Sequence, residues 1–178
     1  MLRHAATVIT ASRGLAGLVI PALLLVFDRP WLAFWVFVFA MLTDLIDGWV
    51  ARATGGDPAL GALLDPLADK LIIGGCWIGL LLRGWAPWWL GGPLLARDLI
   101  VAALWRRDRS SGVTRLPSKL GQVATSYEGT AIGILLFHGP WRGVHWPTVG
   151  VGVGLAALLL SLLSAILYGA RGPLQPRH

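Results

Sequence analysis

Hydrophobic residues dominate six long stretches of the chain, and short groups of polar, glycine and proline residues separate these stretches. The turns include residues 28–30, 54–57 and 139–142. A bilayer-spanning helix needs about 20 apolar residues. The pattern therefore predicts an all-α integral membrane protein with six transmembrane helices. Their approximate limits are 5–27, 31–54, 58–83, 86–106, 118–138 and 146–170.

The composition supports this prediction. The chain has 178 residues, of which 56% are hydrophobic and 13% charged, whereas soluble domains carry about 25% charged residues. No linker or polar domain interrupts the pattern, so we expect one domain over residues 1–178. The first apolar stretch is too long for a signal peptide and is interpreted as the first span.

Charged residues predict the orientation of the helices. An even number of spans places both termini on one side, and this side collects most of the arginines, while Arg29, Arg83 and Arg142 lie on the other. The positive-inside rule makes the richer side cytoplasmic. Tryptophans gather at the opposite end, which is typical of an interfacial belt: Trp31, Trp85, Trp88, Trp89, Trp141 and Trp146. The net charge of +6 thus reflects topology and contact with lipid headgroups, not nucleic-acid binding.

Two pairs of aspartates occupy helix positions that share one face. Asp44 and Asp47 are three residues apart, and Asp65 and Asp69 are four apart. Folding the chain back at Gly55-Gly56 places the two pairs level with each other, about 12–18 Å from the turn at 1.5 Å per residue. Clustered carboxylates repel one another unless cations neutralise them. All-oxygen ligands favour Mg²⁺, Mn²⁺ or Ca²⁺ over zinc, and two ions would clamp a diphosphate.

Charge alone leaves other interpretations open. The cluster would also suit a cation or proton transporter, and basic side chains elsewhere would also neutralise it. Small residues close to the aspartates favour a bound ligand, because they let it approach the helix backbone: Gly48, Ala51 and Gly61. Arg52 adds a donor fork that suits phosphate.

The motif DxxDGxxARx(8)GxxxDxxxD runs without a mismatch from Asp44 to Asp69. On this motif and the six-helix layout, the chain resembles the CDP-alcohol phosphotransferase (CDP-alcohol phosphatidyltransferase) family. The strict match covers about a seventh of the chain, and the helix layout nearly all of it.

The resemblance implies transfer of a phosphatidyl group from CDP-diacylglycerol to an alcohol, with release of CMP. It implies two divalent cations, Mg²⁺ or Mn²⁺, in a polar cavity open to the cytoplasm. A homodimer in a bacterial-type inner membrane is implied as well. In matching enzymes the four aspartates, here Asp44, Asp47, Asp65 and Asp69, hold the ions, and the last is the general base. The residues bordering the cytidine diphosphate would be Gly48, Ala51, Arg52 and Gly61.

Three short segments look like the phosphatidylglycerolphosphate synthase branch, whose acceptor is glycerol 3-phosphate. They lie at 10–13, 65–70 and 97–100. The acceptor phosphate would need a basic pocket, and the candidates are Arg97, Arg115, Ser118 and Lys119. Topology or headgroup contact would also explain Arg115 and Lys119. Arg97 lies inside a span, where it must either pair with a carboxylate or bind a phosphate.

One departure weakens the acceptor assignment. Related synthases begin helix 5 with a sequence like GKxKTxxQ, whereas here Gln122, Ala124 and Glu128 replace both lysines and the glutamine. A cardiolipin synthase that uses phosphatidylglycerol is therefore the main alternative, and an inositol phosphate acceptor is the next. Two further alternatives are not enzymes: a cation transporter that uses the acidic cluster, and a catalytically inactive scaffold.

Overall fold

The computed structural model describes the backbone of residues 2–54, 61–110 and 119–170, and the side chains of residues 14–43, 69–103 and 119–166. Six α-helices occupy these ranges, as the hydrophobic pattern predicted. They are α1 (Leu2–Leu25), α2 (Pro30–Thr54), α3 (Gly61–Leu82), α4 (Trp88–Ser110), α5 (Lys119–Phe137) and α6 (Trp146–Ala170). Pro58, expected at the start of α3, and its neighbour Asp57 lie outside the described residues.

A small β-hairpin joins α5 to α6, where the sequence predicted only a turn. Its strands are β1 (Pro140–Trp141) and β2 (Val144–His145), which pair antiparallel. The two residues between the strands, Arg142 and Gly143, have φ angles of 51° and 75°. Positive φ at both central residues is the geometry of a type I′ turn, whose twist matches that of the paired strands.

Helices α3 and α5 are the elements on which the other helices pack. Helix α3 contacts α1, α4 and α5, while α2 contacts α1 and α5, and α6 contacts α4 and α5. The buried core lies between these helices and includes Ile20, Phe37, Trp77, Leu90 and Ile132. Trp77 on α3 is fully buried within this core.

The outer surface of the bundle is apolar, whereas two carboxylates lie in its interior. Large exposed hydrophobic residues occur on every helix, for example Leu18, Phe39, Ile78, Ile100 and Leu159. The side chains of Asp98 and Glu128, by contrast, are buried. Among the described residues, one helix segment, Trp146–Ile166 in α6, meets the length and hydropathy expected of a membrane span. Shorter apolar segments are Gly14–Leu25 and Pro30–Thr43.

Aromatic residues gather at the end of the bundle where α5 ends and α2 and α6 begin. The ring of Phe137 packs edge-on against Trp31, with centroids 5.3 Å apart, and against Trp146, with centroids 5.9 Å apart. Trp141 of the hairpin joins the same group. Trp88 and Trp89 are exposed at the start of α4, as expected for an aromatic belt at a membrane interface.

Candidate functional site

The four predicted metal ligands lie on two helices. Asp44 and Asp47 are in the second half of α2, and Asp65 and Asp69 are in the first half of α3. Because both segments are helical, each pair occupies one face of its helix, as predicted. Helices α1 and α5 both contact α2 and α3, which keeps these two helices in one bundle.

The side chains of three of these aspartates lie outside the described residues. Asp69 is described and is partly buried. No group of three metal-ligating side chains occurs among the side chains that the structure describes, and that part of the chain contains only one of the four carboxylates. The convergence of the four aspartates therefore stays a prediction.

The other predicted site residues are placed to different extents. Only the helical backbone is described for those expected to border the nucleotide: Gly48, Ala51, Arg52 and Gly61. Arg115 and Ser118 lie outside the described residues. Lys119 is the first residue of α5, and its side chain is exposed. Arg97 lies in the middle of α4 and is mostly buried, with 20% of its side chain exposed.

Arg97 belongs to a network of ion pairs that connects α3, α4 and α5. Its Nη1 lies 2.8 Å from Oδ1 of Asp98, the next residue in α4. The same carboxylate oxygen lies 2.7 Å from Nζ of Lys70 on α3. Asp98 is 5% exposed, so both cations form ion pairs with a carboxylate that is almost fully shielded from solvent.

Glu128 of α5 is the second carboxylate of the network and is fully buried. Trp77 Nε1 donates a hydrogen bond of 2.8 Å to its Oε1, and Nη1 of Arg97 lies 3.6 Å from its Oε2. Thr125, one turn earlier in α5, has its Oγ1 3.5 Å from Arg97 Nη1 and donates a hydrogen bond to the Gly121 carbonyl. Arg97 therefore stands between the two carboxylates.

The formal charges of the network cancel. Lys70 and Arg97 supply two positive charges, and Asp98 and Glu128 supply two negative charges. An unpaired charge within a membrane helix is costly, so such groups face the bundle interior and pair with one another. Each carboxylate nevertheless keeps one buried oxygen, Asp98 Oδ2 and Glu128 Oε2, with no hydrogen-bond partner among the described residues.

Two cations inside the predicted spans pair with carboxylates. Lys70 pairs with Asp98, and Arg97 pairs with Asp98 and Glu128. The roles of Asp98 and Glu128 were not anticipated, although Glu128 had been noted as a departure from the pattern of related enzymes. Charged residues inside three apolar helices were the signal that could have revealed the network, since such charges must pair.

Comparison with known proteins supports the resemblance over nearly the whole chain. The sequence model of the CDP-alcohol phosphatidyltransferase family matches residues 3–167. A relative in Mycobacterium tuberculosis (strain ATCC 25618 / H37Rv), named "Probable phosphatidylglycerophosphate synthase", is 36% identical over 138 residues. That alignment covers 76% of this chain and 63% of the relative, so the chain spans less than two thirds of this protein.

Two enterobacterial relatives match along most of both chains, and both are named "CDP-diacylglycerol--glycerol-3-phosphate 3-phosphatidyltransferase". The protein of Salmonella choleraesuis (strain SC-B67) is 31% identical over 170 residues, which is 88% of this chain and 91% of the relative. The protein of Shigella flexneri is 32% identical over 162 residues, which is 85% and 86% of the two chains. The chain therefore belongs to the CDP-alcohol phosphatidyltransferase family.

Proposed function

We propose that this protein transfers a phosphatidyl group from CDP-diacylglycerol to glycerol 3-phosphate and releases CMP, a step of phospholipid biosynthesis. The observation that carries the proposal is the unbroken motif from Asp44 to Asp69 in a chain that belongs to this family. Relatives that match along 85% or more of both chains are named for transfer between these two substrates.

The donor chemistry of the predicted site fits divalent cations. Four carboxylates on α2 and α3 would hold two ions, Mg²⁺ or Mn²⁺, which prefer oxygen ligands. The four are Asp44, Asp47, Asp65 and Asp69. When bound, such ions neutralise the diphosphate and stabilise the charge that develops on the departing CMP.

The chain's own residues would bind the donor and move one proton. Gly48, Ala51 and Gly61 leave space beside the helix backbones for the cytidine diphosphate, and the guanidinium of Arg52 would donate hydrogen bonds to phosphate oxygens. Asp69 would accept the proton of the acceptor hydroxyl. The hydroxyl oxygen then attacks the β-phosphorus, the bond from that phosphorus to the CMP oxygen breaks, and CMP leaves with the bonding electrons.

A basic group at the cytoplasmic end would receive the phosphate of the acceptor. We assign this role to the residues that the sequence singled out: Arg97, Arg115, Ser118 and Lys119. The exposed position of Lys119 in the first turn of α5 suits contact with a water-soluble substrate. Glycerol 3-phosphate reaches the membrane from the cytoplasm, so the site and both termini would face that side.

The six helices would all cross the membrane. The apolar residues exposed on every helix and the charged residues buried between α3, α4 and α5 support this placement. A helical bundle in a bilayer is surrounded by lipid and not by water, so its outer surface is apolar. Membrane lipids are thus the immediate partners of the outer surface. A homodimer is proposed from family resemblance alone.

Phosphatidylglycerol is the second candidate acceptor, which would make the protein a cardiolipin synthase. The observation in its favour is that Arg97 is already shared by two carboxylates, Asp98 and Glu128, which lowers its ability to attract a phosphate. Gln122 and Ala124 also stand where related synthases carry lysine.

The test is a panel of acceptors offered to the purified full chain in liposomes that contain CDP-diacylglycerol and Mg²⁺ or Mn²⁺. Mass spectrometry identifies the lipid formed, and CMP release gives the rate. Phosphatidylglycerol phosphate formed from glycerol 3-phosphate, lost on chelation of the metal, supports the proposal. Cardiolipin formed only with phosphatidylglycerol supports the second candidate. Cation flux without CMP release overturns both.

A further inference from the structure

The network of Lys70, Arg97, Asp98 and Glu128 fixes one face of α3. Two residues of α3 contact the carboxylates of the network: Lys70 pairs with Asp98, and Trp77 bonds to Glu128. They are seven positions apart in the chain. At about 100° per residue, their directions around the helix differ by only about 20°. Both point to the side where α4 and α5 supply the carboxylates, so two contacts about 10 Å apart along the axis hold that face.

A second face of α3 is held by α1. A Cβ atom on Gly75 would overlap the carbonyl oxygen of Gly17, and a Cβ atom on Gly79 would lie 3.2 Å from the Cα of Pro21. Gly75 and Gly79 point about 140–180° away from Lys70 around the helix. Because the two backbones touch there, α3 cannot approach α1 further without a clash.

Asp69 lies on the face of α3 that neither contact covers. It precedes Lys70 by one residue, so it points about 100° away from the network and about 80–120° away from the two glycines. A carboxylate about 5 Å from the helix axis moves by about 2 Å when the helix turns by 20°. A misplacement of about 1 Å is enough to lower a reaction rate about 100-fold.

From these contacts we propose that Lys70 and Asp98 are positioning residues, which set the rotation of α3 and thereby direct the carboxylate of Asp69. The proposal rests on the function proposed above, because it assigns Asp69 to the reacting centre. Lys70 acts through its ion pair with Asp98 and does not touch the substrate. Its removal still leaves Asp98 paired with Arg97, while α3 loses one of its two polar anchors and the network keeps one excess negative charge.

The experiment compares the full-length wild type with Lys70→Met and Lys70→Arg in liposomes with CDP-diacylglycerol. Arg29→Met is the matched control, because Arg29 is an exposed cation before α2. Two measurements are made on folded protein. The first gives kcat and KM for CDP-diacylglycerol, and the second gives the affinity for Mn²⁺ by electron paramagnetic resonance without substrate. The second measurement reports on the carboxylates independently of turnover.

We expect Lys70→Met to lower kcat about 30-fold or more with KM changed by less than about threefold, since substrate binding is retained while alignment is lost. The affinity for Mn²⁺ should fall about 10-fold, within the range seen when groups that orient metal ligands are removed. Lys70→Arg keeps the positive charge and should stay within about threefold of wild type in both measurements, as should Arg29→Met.

Unchanged kcat and Mn²⁺ affinity in Lys70→Met would overturn the positioning role. So would an activity loss that disappears once rates are divided by the amount of folded protein. If Lys70→Met does not yield folded protein, Asp98→Asn tests the same pair and carries the same expected losses. A wild-type protein that neither binds Mn²⁺ nor releases CMP overturns the proposed function as well, which separates the two failures.

Discussion

Gly17 of α1 and Gly75 of α3 bring their backbones into direct contact. A Cβ atom built on Gly75 would overlap the Gly17 carbonyl oxygen, and one built on Gly17 would lie 2.5 Å from the carbonyl oxygen of Leu71. Only a residue without a side chain fits at either position. Small residues allow this kind of close helix packing in membrane proteins, where dispersion contacts and not the hydrophobic effect hold helices together.

Gly75→Ala should therefore destabilise the protein. The added methyl group must push α3 away from α1, and overpacking of this kind costs about 1–3 kcal/mol. The expected result is a lower midpoint of thermal unfolding in detergent, followed by intrinsic tryptophan fluorescence, because Trp77 lies two residues further along α3 and is fully buried.

Gly74→Ala is the matched control on the same helix. A Cβ atom at Gly74 would lie 3.8 Å from Leu95 Cδ2, which is an ordinary van der Waals contact. Alanine also favours helix over glycine by about 1 kcal/mol, so this variant should unfold at the same temperature as wild type or slightly above it. Equal midpoints for the two variants would show that the α1–α3 contact is looser than described.

The hydrogen bond from Trp77 to Glu128 gives a second test of stability. Trp77→Phe retains an aromatic ring but removes the donor, which leaves a fully buried carboxylate oxygen without its 2.8 Å partner. A buried polar group left unsatisfied costs about 1–3 kcal/mol, and more for a charged group. We expect a loss of at least this size in the free energy of unfolding, measured by denaturant titration in mixed micelles.

Trp35→Phe controls for the change from indole to phenyl, because Trp35 is half exposed on the outer face of α2, and it should have little effect. If Trp77→Phe alone is as stable as wild type, the hydrogen bond contributes little to holding α5 against α3.

The six helices were predictable from local sequence because each coincides with one apolar stretch. The last helix was expected over 146–170 and is observed over Trp146–Ala170, and the second was expected over 31–54 and begins one residue earlier, at Pro30. Proline and glycine residues interrupt the pattern between helices. Proline removes a backbone hydrogen bond, and glycine disfavours the helix because its backbone is more flexible.

The ion-pair network could not be derived in the same way. Trp77 and Glu128 are 51 residues apart in the chain, and nothing in the local pattern of either helix specifies the other. Hydrophobic periodicity shows which face of a helix is buried but not which helix covers it. The β-hairpin also escaped prediction, because Arg142 at positive φ is not one of the residues that typically signal a type I′ turn.

The pH dependence of stability should include a contribution from His138, which follows the last residue of α5. Its ring stacks on Trp85 at a centroid distance of 3.5 Å, and its Nδ1 is buried without a hydrogen-bond partner among the described residues. Burial lowers the pKa of His138 below its usual value near 6.5, and the nearby His145 and Arg83 lower it further.

The sign follows from this direction. As the pH is lowered through 6.5, His138 takes up a proton in the unfolded chain but stays neutral in the folded protein. The free energy of unfolding therefore decreases as the pH is lowered, until the pH reaches the lowered pKa of the folded state. The midpoint of thermal unfolding should therefore decrease between about pH 7 and pH 5. His138→Phe keeps a ring against Trp85 and should show a smaller decrease. Parallel curves for the two proteins would rule out this role for His138.

Asp69→Asn tests the group proposed to accept the proton from the acceptor alcohol. The amide keeps the size of the side chain but cannot act as a base, and general-base catalysis contributes about 10²–10⁴-fold to a rate. CMP release from CDP-diacylglycerol should fall at least about 100-fold with saturating Mn²⁺. The partly buried position of Asp69 makes it important to show by thermal unfolding that the variant is folded.

Asp28→Asn is the control, because Asp28 is an exposed aspartate that pairs with Arg83 at the opposite end of α3. It should retain full turnover, since the pair lies outside the proposed reacting centre and exposed ion pairs contribute about 1 kcal/mol or less to stability. A folded Asp69→Asn protein with wild-type turnover would exclude Asp69 as the base. The proton would then have to pass to another acceptor, and the three remaining aspartates of the motif would be the next residues to replace one at a time.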